Sequence, residues 1–363
     1  MIVKSQKIIL SRNLTTENGF ILKNPEVAFE QYSEKGPVIL ITHGGLSSHH
    51  AAGRYSENVN EEPGFWDALI GQGKPFDTNI FRVISVNSLG SMYGSTSPLS
   101  INPDTAKPYG PNFPFITMVD MVRFYKLFLD ELGIKEVFIM AGPSMGSMQS
   151  LLMAALFPDT IKNVISVATA GRITPGAMTI HEFIISTLKK DPDFNNGNYI
   201  YTGIKPTLSL KIVHEMARIY YTHEETLKKI WDMPEGPDVQ KKRSEAIRNY
   251  LTFMIEQQVQ DKDPNCYITL LNAINTYNLG TNLFNGNYEE GVRRIKAKAL
   301  IMNIDTDSEF PPYWGKEVVD ILNSNTKDQA TFFTVPSIWG HIGCLREVGF
   351  LADKIRNFIK MVL

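Results

Sequence analysis

Short apolar runs closed by turn residues recur along this chain: PVILIT (37–42), FRVISVN (81–87), EVFIMA (136–141), VISVAT (164–169), ALIMNI (299–304) and ATFFTV (330–335). Each is nearly continuous rather than alternating, as expected of a strand buried on both faces of a parallel sheet. Two earlier segments, KIILS and VAFEQY, read as antiparallel edge strands. Helical periodicity fills the gaps. MVDMVRFYKLFLDEL (118–132) is one such stretch, and VGFLADKIRNFIKMVL closes the chain with Leu351, Ile355, Phe358 and Ile359 on one helical face. Strands alternating with helices predict an α/β fold, a mainly parallel, doubly wound sheet.

Residues 173–292 break the alternation. TIHEFIISTLKK, SLKIVHEMARIYYTHEETLKKIW and SEAIRNYLTFMIEQQ are helical in pattern, no strand pattern interrupts them, and charge and Pro, Gly and Asn punctuation increase. The interval reads as a helical cap, a lid and possible dimer contact, inserted into a core made of residues 1–172 and 293–363.

Composition narrows the classes of function. Of 363 residues 43% are hydrophobic and 20% charged, with a formal net charge of −2 and no basic stripe, so neither nucleic acid nor a membrane is an expected partner. The opening MIVKSQKIILSRNLTTENG has neither a signal-peptide core nor transit-peptide character. Two cysteines, Cys266 and Cys344, are too few for a disulfide framework and lack metal-ligand spacing, which points to reduced thiols in a cytoplasmic protein.

The candidate chemistry sits at GPSMG, which satisfies G-x-S-x-G directly after a predicted strand and before a predicted helix. A strand turning straight into a helix strains the central residue and crowds the positions two away on either side. Gly142 and Gly146 relieve that crowding, and Ser144 is held above the sheet as a candidate nucleophile. A serine needs a base, and in this architecture acid and histidine follow it in chain order. His341, in VPSIWGHIGCL, is the one histidine beyond position 223 and follows the last predicted strand. In DTDSEFPP the acid could be Asp305, Asp307 or Glu309. Asp307 is the choice, with Asp305 close enough to the strand end to serve the turn instead. The oxyanion hole would combine the N–H of Met145 with that of Gly45 or Leu46, from HGGLSSHH. His43, His49 and His50 in that loop lack the carboxylates and spacing of a metal site, so no metal is expected. There is no P-loop and no dinucleotide fingerprint. Arg172, in TAGR, either faces the cleft and binds an anionic group or pairs with a cap carboxylate.

Over nearly its whole length the chain resembles the homoserine O-acetyltransferases, of the α/β-hydrolase fold. The resemblance is carried by FWDALIGQGKPFDTNIFRVISVNSLG, GSTSPLSINPDTAKPYGPNFPFITMVDMVR, GPSMGSMQS, DPDFNNGNY, DPNCYITLLNAI, DSEFPP and GHIGCL. It implies that Ser144 takes an acyl group from acyl-CoA, a co-substrate rather than a bound cofactor, and passes it to an acceptor hydroxyl. It also implies Asp307 as acid, His341 as base, and a cap that covers a tunnel and forms a homodimer contact. Departures cluster where the acceptor would bind. Ile342 stands where the family has an aspartate thought to hold the homoserine amino group. His214 replaces an arginine seven residues before Tyr221, Arg218 lies one turn later, and NAINTYNL replaces an aspartate-containing stretch. A buried ammonium left unpaired by such changes costs several kcal/mol. These departures point away from homoserine, towards another small hydroxyl acceptor. A serine esterase of the same fold using water is the alternative, supported by the glycines of HGGL, and a catalytically silent binding protein is the third reading.

Overall fold

The computed structural model describes residues 1–58, 60–234 and 236–363, and the side chains of 254–258 are outside that description. Eight strands form the main sheet: β1 (Gln6–Ile9), β2 (Glu26–Gln31), β3 (Val38–Thr42), β4 (Arg82–Val86), β5 (Ile139–Pro143), β6 (Asn163–Val167), β7 (Lys298–Ile304) and β8 (Ala330–Val335). Their spatial order is β1-β2-β4-β3-β5-β6-β7-β8. The first two are antiparallel to their neighbours, with Gln6 opposite Phe29 and Phe29 opposite Val86, and all later pairs are parallel. The α/β doubly wound expectation therefore holds, with one correction. VAFEQY is not an edge: β2 lies between β1 and β4, and β1 alone caps that side.

Period-2 alternation sends neighbouring residues of each strand to opposite faces. Leu40, Ile84 and Met140 join a core cluster with α1 (Met118–Glu131) and α2 (Met145–Leu156). Ile39, Ile41, Val83 and Ile139 join the other, with Trp66, Phe76 and the C-terminal helix. That last helix, Val348–Val362, buries Leu351, Ile355, Phe358 and Ile359, the face its spacing predicts. Because both faces are covered, the strands are apolar throughout, which is why they read as continuous runs.

β5 begins three residues later than EVFIMA suggests. Val137 makes only an isolated bridge to Ile161, while the ladder to β3 starts at Ile139. The strand then runs through Gly142 and Pro143, because pairing with β6 continues to Val167.

Between β6 and β7 lie α3 (Pro175–Lys190), α4 (Thr207–Tyr221), α5 (Val239–Gln258) and α6 (Pro264–Asn275). The stretch 209–231 is two helices rather than one. Thr222 turns extended, and His223 accepts from the Glu225 N–H at 3.3 Å to start a second helix, Glu224–Ile230. Among the described residues no helix is long and apolar enough to cross a membrane.

Candidate active site

Ser144 directly follows β5, as the N-cap of α2, with φ 52° and ψ −124°, a region L-residues avoid. Its N–H is tied to the Val167 carbonyl of β6 at 2.9 Å, and its own carbonyl receives the Ser147 N–H at 2.9 Å as α2 begins. The turn is pressed against the end of β3. A Cβ on Gly142 would sit 2.8 Å from the Thr42 carbonyl oxygen, and one on Gly146 at 2.7 Å from the same atom. Thr42 Oγ1 completes the clasp by donating to the Gly146 carbonyl at 2.9 Å. Strain at one residue is thus held by close contact on both sides, and the Ser144 hydroxyl sits at the positive end of α2.

The loops after β7 and β8 meet this serine. His341 Nε2 lies 3.0 Å from Ser144 Oγ, and His341 Nδ1 lies 2.8 Å from Asp307 Oδ2. The other oxygen of Asp307 accepts the N–H groups of Glu309 and Phe310 at 2.8 and 3.1 Å, which fixes the carboxylate's rotamer. Asp305 is exposed and accepts from the Ser337 N–H at 2.9 Å, stapling the loops after β7 and β8 together. Burial on its own would lower the His341 pKa. The charges of Asp307 and Glu309, with the hydrogen bond to Asp307, outweigh it and push the imidazole up to about 9. A chain of hydroxyl, imidazole and carboxylate in this order can move a proton off the serine once Nε2 is free.

Above the serine is a cavity of about 600 Å³. Gly44, Gly45, Leu46 and Met145 line it beside Ser144, and Met148, Leu271, Ile274 and Phe310 make much of its wall apolar. The Gly44–Ser47 turn is closed by the Ser47 N–H on the Gly44 carbonyl at 3.1 Å. His43 steadies the loop: Nε2 accepts the Ser88 N–H at 3.0 Å, and Nδ1 donates to the Gly44 carbonyl at 2.8 Å. Burial lowers its pKa to about 4, so it stays neutral. His49 and His50 have partners elsewhere, Ser5 and Glu30.

Of the tentative substrate contacts, His214, Tyr221 and Ile342 line the cavity. The Tyr221 ring centroid is 5.3 Å from that of His341. His214, buried and near Lys262, has its pKa lowered to about 4. Two arginines do not reach the cavity. Arg172 pairs with Glu317 of the helix Pro312–Asn325 at 2.9 Å and lies over the Tyr288 and Trp314 rings. Arg218 donates to the Tyr250 hydroxyl. Residues absent from the expected substrate contacts also line it, among them His181, Asp261, Lys262, Tyr267 and Glu309. Glu309 was visible in the sequence as a rival acid beside Asp307. Nothing in TIHEFI singles out His181, a lone histidine among apolar helix residues.

A family model for the alpha/beta hydrolase fold matches residues 37–347. A homoserine O-acetyltransferase of Deferribacter desulfuricans is 34% identical over 368 residues, covering 99% of this chain and 96% of that protein. The chain belongs to the homoserine O-acetyltransferase family. Two solved structures share its architecture. The homoserine O-acetyltransferase from Bacillus anthracis has a TM-score of 0.89 at 25% identity, covering 99% of this chain and 98% of that one. Esterase E22 has a TM-score of 0.88 at 32% identity, covering 98% and 100%. Within the homoserine O-acetyltransferase family, then, this member has a hydrocarbon, Ile342, directly after the histidine that meets Ser144.

Two outcomes follow from this geometry. Gly142→Ala should destabilise the protein by about 1–3 kcal/mol through overpacking against Thr42, read by urea unfolding. The raised His341 pKa stabilises the fold fully below the ordinary histidine value of 6.5, and the contribution is lost as pH rises through about 9. Melting temperatures measured from pH 7 to pH 10 should therefore fall further for the wild type than for His341→Gln.

Proposed function

We propose that this protein is a serine-dependent acyltransferase of the homoserine O-acetyltransferase type. The observation that carries the reading is the hydrogen-bonded chain Ser144–His341–Asp307 on the floor of an apolar cavity, in a member of that family. His341, as free base, takes the Ser144 proton while Oγ attacks the carbonyl carbon of an acyl-CoA thioester. The N–H groups of Met145 and Gly45 hold the developing oxyanion. The carbon–sulfur bond breaks, and His341 gives its proton to the departing CoA thiolate. A small acceptor hydroxyl then loses its proton to His341 and attacks the acyl-serine. Oγ leaves and is reprotonated. Asp307 orients the imidazole and stabilises its charged form throughout. No bound cofactor enters these steps.

In this reading residues 173–292 are a lid. His181, His214, Tyr221, Tyr267, Leu271 and Ile274, all from that interval, form one side of the cavity. The lid also offers a homodimer contact: Leu208, Ile212 and Ile219 of α4 are exposed at helical spacing, 70%, 41% and 54% respectively. Small-molecule donor and acceptor are then the other partners, and a cytoplasmic setting supplies the acyl-CoA.

A second reading, an esterase with water as acceptor, is favoured by Ile342. An apolar side chain gives a charged amino-acid acceptor nothing to pair with, whereas water and uncharged alcohols need no such partner. Similarity to esterase E22 over the full chain is in keeping with it.

CoA release from acetyl-CoA, followed with and without L-homoserine and with the product identified by mass spectrometry, separates these readings. Ser144→Ala should lower release at least about a thousandfold. O-acetylhomoserine from the wild type would make homoserine the acceptor despite Ile342. Serine-dependent release yielding acetate would establish water. A folded chain with no serine-dependent turnover, on thioesters or simple esters, would leave a silent binding protein. Ile342→Asp should raise homoserine-dependent acetylation relative to hydrolysis, and an unchanged ratio would remove this position from acceptor choice.

A further inference from the structure

One buried carboxylate, Glu309, faces two of the three imidazoles that line the cavity, those of His181 and His341. Glu309 follows Asp307 by two residues in the loop after β7, and it is 4% exposed. Its Oε2 lies 3.2 Å from His341 Nε2, the same nitrogen that meets Ser144 Oγ at 3.0 Å. Its Oε1 lies 3.4 Å from Nε2 of His181, on α3, which is 2% exposed. His341 is thus set between two carboxylates, Asp307 behind it and Glu309 beside the hydroxyl it would activate.

Asn275 Nδ2 donates to Glu182 Oε1 at 2.9 Å, which orients the amide so that its oxygen faces His181 Nδ1 at 2.7 Å. His181 Nδ1 therefore carries a hydrogen, as His341 Nδ1 does towards Asp307. Were both rings neutral and Glu309 ionised, each Nε2 would turn a lone pair towards a carboxylate oxygen in a site shielded from water. That contact is repulsive. Each contact becomes attractive when a proton lies on it. The other titratable groups around this cluster do not neutralise Glu309. They are Asp307 on its own loop, Cys344 after His341, Tyr220 and Tyr221 on α4, and Tyr267 on α6; elsewhere on the cavity wall Lys262 is paired with Asp261 at 3.3 Å, and the His214 pKa is lowered to about 4. Burial first, and then nearby carboxylate charge, raises the pKa of the Cys344 thiol and of all three phenols, so they stay uncharged.

We propose that Glu309 is a positioning residue that keeps a proton on His341 Nε2 in the unliganded protein, and that His181 shares its charge and so limits that hold. The inference rests on Ser144 as nucleophile and His341 as its base. Ser144 becomes reactive when the Nε2 proton leaves, to solvent as pH rises or when a ligand group engages Glu309 in its place.

The test follows the pH dependence of Ser144 phosphonylation by a fluorophosphonate, alongside NMR titration of His341 in histidine-labelled full-length protein. In the wild type, reactivity rises with pH as Nε2 is freed. Glu309→Gln should move that rise, and the NMR midpoint, at least about one pH unit lower. His181→Gln leaves the Glu309 charge acting on His341 without its other imidazole and should move both upwards. A role confined to packing would change stability without moving either midpoint. Folded Glu309→Gln protein, judged by thermal melting, that keeps the wild-type midpoints overturns the inference. If that variant does not fold, the upward shift in His181→Gln decides, and an unmoved or lowered midpoint there overturns it. Absence of labelling in the wild type at every pH would instead overturn Ser144 as nucleophile, while the NMR midpoints would still read the effect of Glu309.

Discussion

The contact on which the rest of the site depends is the pressing of a strand-to-helix turn against the carbonyl end of β3. Two hydrogens, on Gly142 and Gly146, are all that the space beside Thr42 admits. That proximity lets Ser144 keep a backbone conformation it would leave in an unconstrained chain, and it fixes the hydroxyl relative to the sheet rather than to a loop. Everything else arrives from elsewhere: an imidazole from beyond β8, a carboxylate from beyond β7, an N–H-bearing turn from beyond β3. Parallel strands end on the same side, so their loops converge there.

The hydrogen-bonded chain Ser144–His341–Asp307 and the rest of the cavity wall come from different parts of the sequence. The loops after β5, β7 and β8 supply the hydroxyl, Asp307 and the imidazole, and the loop after β3 supplies the Gly44–Ser47 turn. Helices between β6 and β7 bring His181, His214, Tyr221 and Tyr267 over them. Beside Ser144, Glu309 and the two imidazoles it touches form a buried polar cluster, next to Met, Leu, Ile and Phe side chains of the cavity wall. Among groups this buried a single proton weighs heavily, because the local dielectric is low.

The sheet was legible because both of its faces are covered, which writes each strand as an unbroken apolar run. The start of β5 was not, since Val137 is as apolar as Ile139 and only pairing with β3 distinguishes them. The position of β2 inside the sheet was hidden for the same reason: neighbour order is a property of tertiary contacts. At the site, Ser144, His341 and Asp307 were found through a local motif, a unique histidine and a loop after a strand, and the fold brings them within hydrogen-bonding reach. Arg172 and Arg218 carried no comparable local signal, and aromatic and acidic partners take them away from the cavity. The contact of His181 with Glu309 joins two distant segments and leaves no local trace.

Ser144 and His341 are separated by 197 positions in the chain. The imidazole lies near the C-terminus, followed by the helix Val348–Val362 that packs beneath the sheet. During synthesis the serine turn can fold early against β3 and β6, while the imidazole that meets its hydroxyl follows only after β7 and β8 have been made. The hydroxyl and the imidazole can therefore meet only once β5, β6, β7 and β8 lie side by side, so their contact reports that this half of the sheet has assembled.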